Sequence, residues 1–252
     1  MTKAVIINSG GLDSTTLVYR AVFDGYDVIT LSFDYGQRHS KELLFAQGTA
    51  HRLDLEWRRV DVSFLAPLFS NLGSHSVLVN SDHAVPDGHY AHENMKQTVV
   101  PNRNMIMLSI AAGVAISADA DIVMAGMHAG DHFIYPDCRP RFVANLNAAL
   151  VYGNEGFGTI REQPENALPD SFLVTPYIHM TKEEIAREAI ELRVPLELTW
   201  SCYKGEGIHC GRCGTCVERI EAIQGAIKNW HPEFTDPTRY ADTEFWKEQV
   251  NG

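Results

Sequence analysis

Ala4-Val5-Ile6-Ile7-Asn8-Ser9-Gly10-Gly11-Leu12-Asp13-Ser14-Thr15-Thr16-Leu17-Val18 is the stretch from which the rest of the chain can be read. Ala4 to Ile7 are apolar and mostly β-branched, and they run into Asn8, Ser9 and two glycines, as a strand entering a turn does. Asp13 or Ser14 is placed to cap a following helix, with Leu17, Val18, Ala21 and Val22 on its buried face. At such a strand-to-helix turn, backbone N–H groups and a helix N-terminus converge on an anion. Gly10 and Gly11 let the main chain approach a phosphate closely, with positive φ available. The candidate phosphate site is therefore Asn8, Ser9, Gly10, Gly11, Leu12, Asp13, Ser14, Thr15 and Thr16, with hydroxyl donors at Ser9, Ser14 and Thr15. A carboxylate in a phosphate cradle needs a cation, so Asp13 reads as a holder of Mg2+. The turn lacks the lysine of a Gly-x-x-x-x-Gly-Lys-Ser/Thr loop and the spacing of Gly-x-Gly-x-x-Gly, which disfavours ordinary kinases and dehydrogenases. A ligand-free glycine turn is the plainer alternative, and the position at the carboxyl end of the first strand weighs against it.

Outward from this turn, strands and helices alternate. Residues 27–33 read as a second strand, Ser40 to Leu53 as a helix, and Arg58 to Val62 as a third strand. From Ala66 to Lys96 the pattern breaks down around Pro67, Gly73, Pro86 and Gly88, and a loop that long inside a compact domain is usually functional or mobile. Asn104 to Ser117 is an amphipathic helix, Asp121 to Ala125 an apolar strand, and Pro140 to Tyr152 a helix. Thr181 with Glu184 forms a capping box that opens a helix to Leu192, and another helix spans Val217 to Ile227. The last twenty or so residues carry no legible motif. The alternation implies an α/β fold with a parallel, three-layer sheet and right-handed crossovers. Two parts are expected: an α/β nucleotide-binding domain over 1–195 and a small C-terminal zinc-binding helical region over 196–252, packed on it as one functional unit.

Composition narrows the function. Of the 252 residues, 45% are hydrophobic and 21% charged, as in an ordinary globular protein. The net charge of −11 argues against a protein that coats phosphate backbones, so no stable nucleic-acid partner is expected. A local pocket can still be positive and take a small anion. The apolar run before Asn8 is far short of the ~20 residues that span a bilayer, and no export signal is visible, so a cytoplasmic protein without a membrane partner is expected.

Four of the five cysteines, Cys202, Cys210, Cys213 and Cys216, are bunched with intervening gaps of seven, two and two residues. Two successive Cys-x-x-Cys steps, eased by Gly211 and Gly214, can bring four thiolates to one tetrahedral centre. Four protein ligands leave no open position, so the favoured reading is one structural Zn2+ per chain. An iron–sulfur cluster, a redox dithiol and a nucleic-acid knuckle remain lesser readings. His209 reads as a neighbour, because adjacent residues seldom both ligate. Cys138 stands apart and reads as an inert small side chain.

Further polar clusters follow the strand ends, where an open α/β sheet gathers its ligands. Phe33 to His39, Val99 to Asn104, and Gly126 to Asp131 running into Tyr135 to Pro140 supply Arg38, Asn102, Arg103, Asp131, Asp137 and Arg139 as catalytic or substrate-binding candidates. Each also has a local explanation: Asp34, Asn102 and Asp137 as turn formers or helix caps, Arg38 as a surface charge. Their repetition on one sheet edge favours a shared pocket. His51, His75, His83, His89 and His92 form no ligand spacing and read as solvated loop residues.

Ser9 to Ser14 resembles the pyrophosphate loop of the PP-loop ATP pyrophosphatases. Together with Phe33 to His39, Val100 to Asn104, Tyr135 to Arg139, Ser201 to Tyr203 and His209 to Cys216, the chain resembles the 7-cyano-7-deazaguanine synthase family of queuosine-precursor nitrile synthases (QueC/ExsB) over about residues 3–228. That resemblance implies an adenine nucleotide alpha hydrolase-like, Rossmann-like fold and a carbon–nitrogen ligase. The implied substrates are ATP with Mg2+, 7-carboxy-7-deazaguanine and ammonium. Successive adenylation of carboxylate and amide would release AMP and pyrophosphate, and a homodimer is expected. Under it, Arg38 and Arg139 would meet carboxylate or phosphate charge, Asp131 or Asp137 the amino edge of the base, and Asn102 and Arg103 would shape the pocket. No Cys-led amidase region lies outside the cysteine cluster, so free ammonium is the expected nitrogen source. A tRNA-modifying PP-loop ligase or thiolase predicts a basic face and a catalytic cysteine pair, and a non-enzymatic zinc-ribbon module predicts salt-sensitive polynucleotide binding. The charge and the bunched cysteines disfavour the first.

Overall fold

The computed structural model describes residues 1–37, 41–67, 76, 78, 84–89, 93–164 and 168–250. Five strands form one wholly parallel sheet in the order β3-β2-β1-β4-β5: β1 (Lys3–Ile7), β2 (Asp27–Asp34), β3 (Glu56–Asp61), β4 (Ile122–Met124) and β5 (Leu173–Val174). β1 lies at the centre, with Val5 registered against Ile29 on one side and Val123 on the other. It is buried on both faces, which is why Ala4 to Ile7 is uninterruptedly apolar.

Successive strand residues point to opposite faces. Val5, Ile29, Leu31 and Phe33 pack against α3 (Arg103–Ser117) and α4 (Pro140–Tyr152). Ala4, Ile6 and Val28 pack against Leu17, Val18 and Ala21 of α1 (Leu12–Phe23) and Ile185 of α5 (Lys182–Glu191). Helix, sheet and helix thus make the three expected layers. α2 (Lys41–Arg52) joins β2 to β3, and α6 (Gly214–Asn229) buries Ala222, Ile223 and Ala226 against Ala186 and Ala189 of α5. A last short helix, α7, spans Phe245–Val250.

The order reverses between β1 and β4, so the loops leaving these two strands diverge to opposite faces and open a crevice at their carboxyl ends. The capping box at Thr181 is formed: Glu184 N donates to Thr181 Oγ1 at 3.2 Å and Thr181 N to Glu184 Oε2 at 2.7 Å. One expectation changes. α1 starts at Leu12 with Gly11 as its N-cap and no side-chain cap, because Ser14 turns back to the turn itself and Asp13 to a lysine. The two-residue strand β5 is too short to show any period.

Most of 66–96 lies outside the described residues. Its described parts include a 3₁₀ turn at Glu93–Thr98 and a bridge from Asp87 to Cys213. Among the histidines, His51 is exposed in the last turn of α2, and His89 Nε2 lies 3.2 Å from Glu221 Oε1 rather than free in solvent. His75, His83 and His92 fall outside the described residues.

Candidate functional site

The glycine turn holds its shape through its own side chains. Asn8 Oδ1 accepts from Gly10 N at 2.9 Å and from Ser14 Oγ at 3.2 Å, while Ser9 N donates to Ser14 Oγ at 3.1 Å. Gly10 has φ +79, and a Cβ there would meet Glu42 O at 2.2 Å and Ala46 N at 2.8 Å. The first need for glycine is therefore the close approach of α2. The opening N–H groups of a helix have no partner within it, which leaves those of α1 available at this turn. Among the described residues, buried Asn8 Nδ2, Asp13 Oδ1 and Thr15 Oγ1 have no hydrogen-bond partner. Buried polar atoms are normally satisfied, so two donors and one carboxylate oxygen without partners point to a missing ligand.

Asn8, Ser9, Gly11, Leu12, Asp13 and Ser14 line a cavity of about 250 Å³ at the β1–β4 crevice. Gly10, Thr15 and Thr16 support the turn from outside that lining. Its cationic end is Lys182, the first residue of α5, which pairs with Asp13 and lies 3.5 Å from Glu218 Oε2. Burial pushes the Asp13 carboxyl up, but Lys182 and His128 outweigh it and hold the group below the usual carboxylate range. Burial works against the Lys182 charge, and Asp13 and Glu218 overcome it, so its pKa rises. His128 is buried; its Nδ1 accepts from Gly130 N at 3.1 Å, leaving Nε2 near Lys182 Nζ (3.4 Å), Asp131 Oδ2 (3.6 Å) and Asp13 Oδ2 (3.9 Å).

A second part of the lining combines aromatic rings with one carboxylate and one guanidinium: Tyr35, Glu42, Arg103, Tyr135 and Tyr203. Burial pushes the Glu42 carboxyl up to about 7, against the lowering pull of Arg103 and Gln37. Burial also raises the Cys138 thiol, which accepts from Asn104 Nδ2 at 3.1 Å and stays neutral.

Of the remaining candidates, Arg103 and Asp131 line the cavity, whereas Asn102, Asp137 and Arg139 do not. Asn102 is exposed at φ +59 before α3. Asp137 Oδ2 accepts from Asn104 N at 3.1 Å, in the first turn of α3. Arg139 is exposed, and its Nε donates to His132 O at 2.8 Å. Arg38 lies outside the described residues. Sequence reasoning did not single out Lys182, His128, Glu218 or Glu42. The capping box did mark Lys182 as a first helical residue and His128 lies in the polar run that follows β4, but Glu218 and Glu42 carry no local signal.

The four clustered cysteines are buried, and their sulfurs all lie within 4.8 Å of one another, so they could hold a metal ion. Backbone N–H groups of Cys213 and Arg212 donate to Cys210 Sγ at 3.3 and 3.4 Å, an environment that favours thiolate. His209 is turned away from this role: Nε2 accepts from Ser201 N at 3.2 Å and the ring packs on Trp200. The chain's tail straps the cluster. Ala241 N donates to His209 O at 2.8 Å, and Gly211 (φ +75) leaves no room for a Cβ, which would fall 1.8 Å from Asp242 O. Buried Arg219 ties the two together, donating to Ser201 Oγ at 3.1 Å and Thr238 Oγ1 at 2.9 Å. Thr215 and Glu218 of α6, which starts within the cluster, reach the cavity.

A parallel α/β sheet with an anion-ready turn at its switch point, and a four-cysteine centre beside it, defines the class. The chain matches the family described as "Queuosine biosynthesis protein QueC" over residues 3–227. It is 47% identical over 245 residues to the 7-cyano-7-deazaguanine synthase of Brucella ovis, covering 97% of this chain and 96% of that protein. The same identity and coverage hold for the protein of that name from Brucella canis. Among solved structures, the NMN synthetase from Francisella tularensis is similar at 15% identity with a TM-score of 0.45, covering 94% of this chain and 88% of that one. The chain belongs to the QueC family.

Proposed function

We propose that the chain converts 7-carboxy-7-deazaguanine, ammonia and ATP into 7-cyano-7-deazaguanine by adenylating first the acid and then the amide at the β1–β4 crevice. A 7-cyano-7-deazaguanine synthase of queuosine biosynthesis is a carbon–nitrogen ligase, and relatives with that name span nearly all of this chain. A carboxylate resists ammonia because its charge is delocalised and oxide is a poor leaving group. Its oxygen attacks the α-phosphorus of ATP, pyrophosphate departs, and ammonia displaces AMP from the acyl carbon to give the amide. The amide oxygen attacks the α-phosphorus of a second ATP; loss of pyrophosphate, a second AMP and the nitrogen's two protons leaves the nitrile.

The observation that carries the site assignment is the set of unpartnered atoms at the turn: Asn8 Nδ2 and Thr15 Oγ1 as donors, Asp13 Oδ1 as an acceptor. The donors and the first turn of α1 suit the departing diphosphate, whose charge Lys182 faces. Asp13 Oδ1 suits Mg2+, which when bound supplies charge neutralisation on the phosphates. Arg103 and Asp131 are the substrate-facing candidates that line the cavity.

For the cysteines, a single Zn2+ is the better fit. Zinc–sulfur bonds of about 2.3 Å put tetrahedral sulfurs about 3.8 Å apart, and Cys210 Sγ lies 3.8 Å from Cys216 Sγ. A cubane holds its four cysteine sulfurs farther apart. The ion would fix Cys202, Cys210, Cys213 and Cys216 and thereby the start of α6. Residues 1–195 and 196–252 then act as one unit, in a cytoplasmic homodimer that light scattering can test. No described helix is long and apolar enough to cross a membrane.

Mass spectrometry of 7-carboxy-7-deazaguanine incubated with the protein, Mg-ATP and ammonium tests the reaction. Sequential appearance of amide and nitrile with AMP and pyrophosphate is expected. AMP release without any nitrile would overturn the substrate assignment.

A further inference from the structure

The cavity lining holds two groups of interacting side chains, and only the one around Asp13 and Lys182 is accounted for by ATP and a carboxylate. To the second, five separate segments contribute Tyr35 after β2, Glu42 in the first turn of α2, Arg103 opening α3, Tyr135, and Tyr203. The Arg103 guanidinium carbon lies 5.7 Å from the ring centroids of both Tyr35 and Tyr135. Tyr135 OH is fixed by Thr98 Oγ1 at 2.6 Å. Gln37 holds the carboxylate in place: its Nε2 donates to Glu42 Oε1 at 3.1 Å and its Oε1 accepts from Tyr35 N at 2.8 Å. Glu42 Oε2 and the Arg103 guanidinium form no ion pair with each other among the described residues, although their charges interact across the cavity. A carboxyl held in a largely desolvated wall without a direct cationic partner is costly to ionise, and such groups are retained where a ligand uses them.

Resting on the deazaguanine reading above, we propose that Glu42 and Arg103 read the amino-pyrimidinone edge of the base, with the tyrosines stacking its faces. That edge presents an exocyclic amine, a ring N–H and a carbonyl oxygen in a row. Glu42 accepts from the two nitrogens and Arg103 donates to the oxygen, the pairing by which carboxylates and guanidinium groups recognise bases. The carboxyl group, carried on C7, leaves the adjacent side of the base next to that carbonyl oxygen and is the group to be activated beside the turn and Lys182. Glu42 is thus a specificity-determining residue, and its contact is with the substrate and not with ATP.

The test is the kinetics of Glu42→Gln with two substrates, the natural acid and its analogue lacking the exocyclic amine, read as nitrile formation. Wild type should reject the analogue by about 10- to 100-fold in kcat/KM, the discrimination one bidentate contact to a base edge supplies. Glu42→Gln should raise KM for the acid by a similar factor, lose the discrimination, and leave KM for ATP within about twofold. A variant that keeps the discrimination, or that moves KM for ATP in place of KM for the acid, overturns the assignment. Should Glu42→Gln fail to fold, equilibrium dialysis of the acid against Glu42→Asp decides. Its carboxylate sits one methylene back, so weaker binding is expected and unchanged binding overturns the proposal. If wild type makes no nitrile, the functional reading has failed; if it does and these outcomes fail, only the role of Glu42 has.

Discussion

The glycine turn at Asn8–Ser14 and the cysteine segment at Cys202–Cys216 both present buried polar groups to a small ligand, yet they are built in opposite ways. The turn hangs from the central strand of the sheet and the first turn of α1, and Asn8, Ser9 and Ser14 hold one another. Its own hydrogen bonds fix its shape, and the unpartnered atoms are those a ligand would satisfy. Between Trp200 and Gly214 there is no helix or sheet strand; four sulfurs, a few N–H···S contacts and the tail hold the chain together. There the ion would supply the structure. A site on rigid secondary structure can do chemistry on what it binds, whereas a site that the ion completes serves to place something else, here the start of α6 with Thr215 and Glu218.

The sharpest break between the two regions is Cys213→Ser. With one of four ligands gone, the ion should be lost, as metal analysis will read, and the segment should open at a cost of several kcal/mol. Activity should vanish, while hydrogen exchange at β1 and β2 stays protected. Next, Lys182→Met removes the cation facing the departing diphosphate. A loss of about 100- to 1000-fold in kcat is expected with bound metal retained, and the melting temperature should fall because Asp13 and Glu218 lose their cation.

A matched pair of glycine variants sharpens the contrast further. Gly10→Ala places a methyl 2.2 Å from Glu42 O, in the sheet-anchored region. It should cost about 2–4 kcal/mol of global stability in denaturant titration. Gly211→Ala meets Asp242 O at 1.8 Å. Its damage should be confined to the tail, seen as faster hydrogen exchange at Ala241 with the global transition nearly unmoved.

The smallest effect is a pH dependence. Burial raises the Glu42 carboxyl from its ordinary 4.5 to about 7, with Arg103 and Gln37 opposing and Asp34 adding to the rise. Stability tied to this group is whole below its unfolded value and is lost as pH climbs through about 7. Glu42→Gln should match wild type near pH 4.5 and melt about 2–4 °C higher at pH 8, from a gain on the order of 1 kcal/mol. A gain in stability alongside a loss in substrate affinity separates a ligand-reading residue from a structural one.

The same division explains what could be read from sequence. β1, the turn and α1 are contiguous, so strand period, glycines and hydroxyl residues stood together, as did the cysteine spacing and the Thr181–Glu184 capping box. The layers and the parallel sheet followed from that alternation. The aromatic part of the cavity lining did not, because Glu42, Arg103, Tyr135 and Tyr203 meet only once the sheet has brought β2, α2, α3 and the cysteine segment to one edge. Arg103 and Asp131 were within reach of the rule that ligands gather at strand ends. Asp137, by the same rule a candidate, is taken up by Asn104 N at 3.1 Å. The tail's grip on His209, Gly211 and Arg219 is likewise a tertiary fact, with no pattern in residues 230–250 to announce it.

The adenylation chemistry assigned to the crevice can be followed through the oxygen atoms. If both carboxyl oxygens of 7-carboxy-7-deazaguanine carry a heavy isotope, each should end in AMP, one when ammonia forms the amide and the other when the amide becomes the nitrile. Mass spectrometry of the nucleotide products should then find labelled AMP from both steps and unlabelled pyrophosphate. Heavy oxygen in inorganic phosphate or pyrophosphate, or nitrile formed with unlabelled AMP, would contradict attack at the α-phosphorus and the turn's role in holding the departing diphosphate.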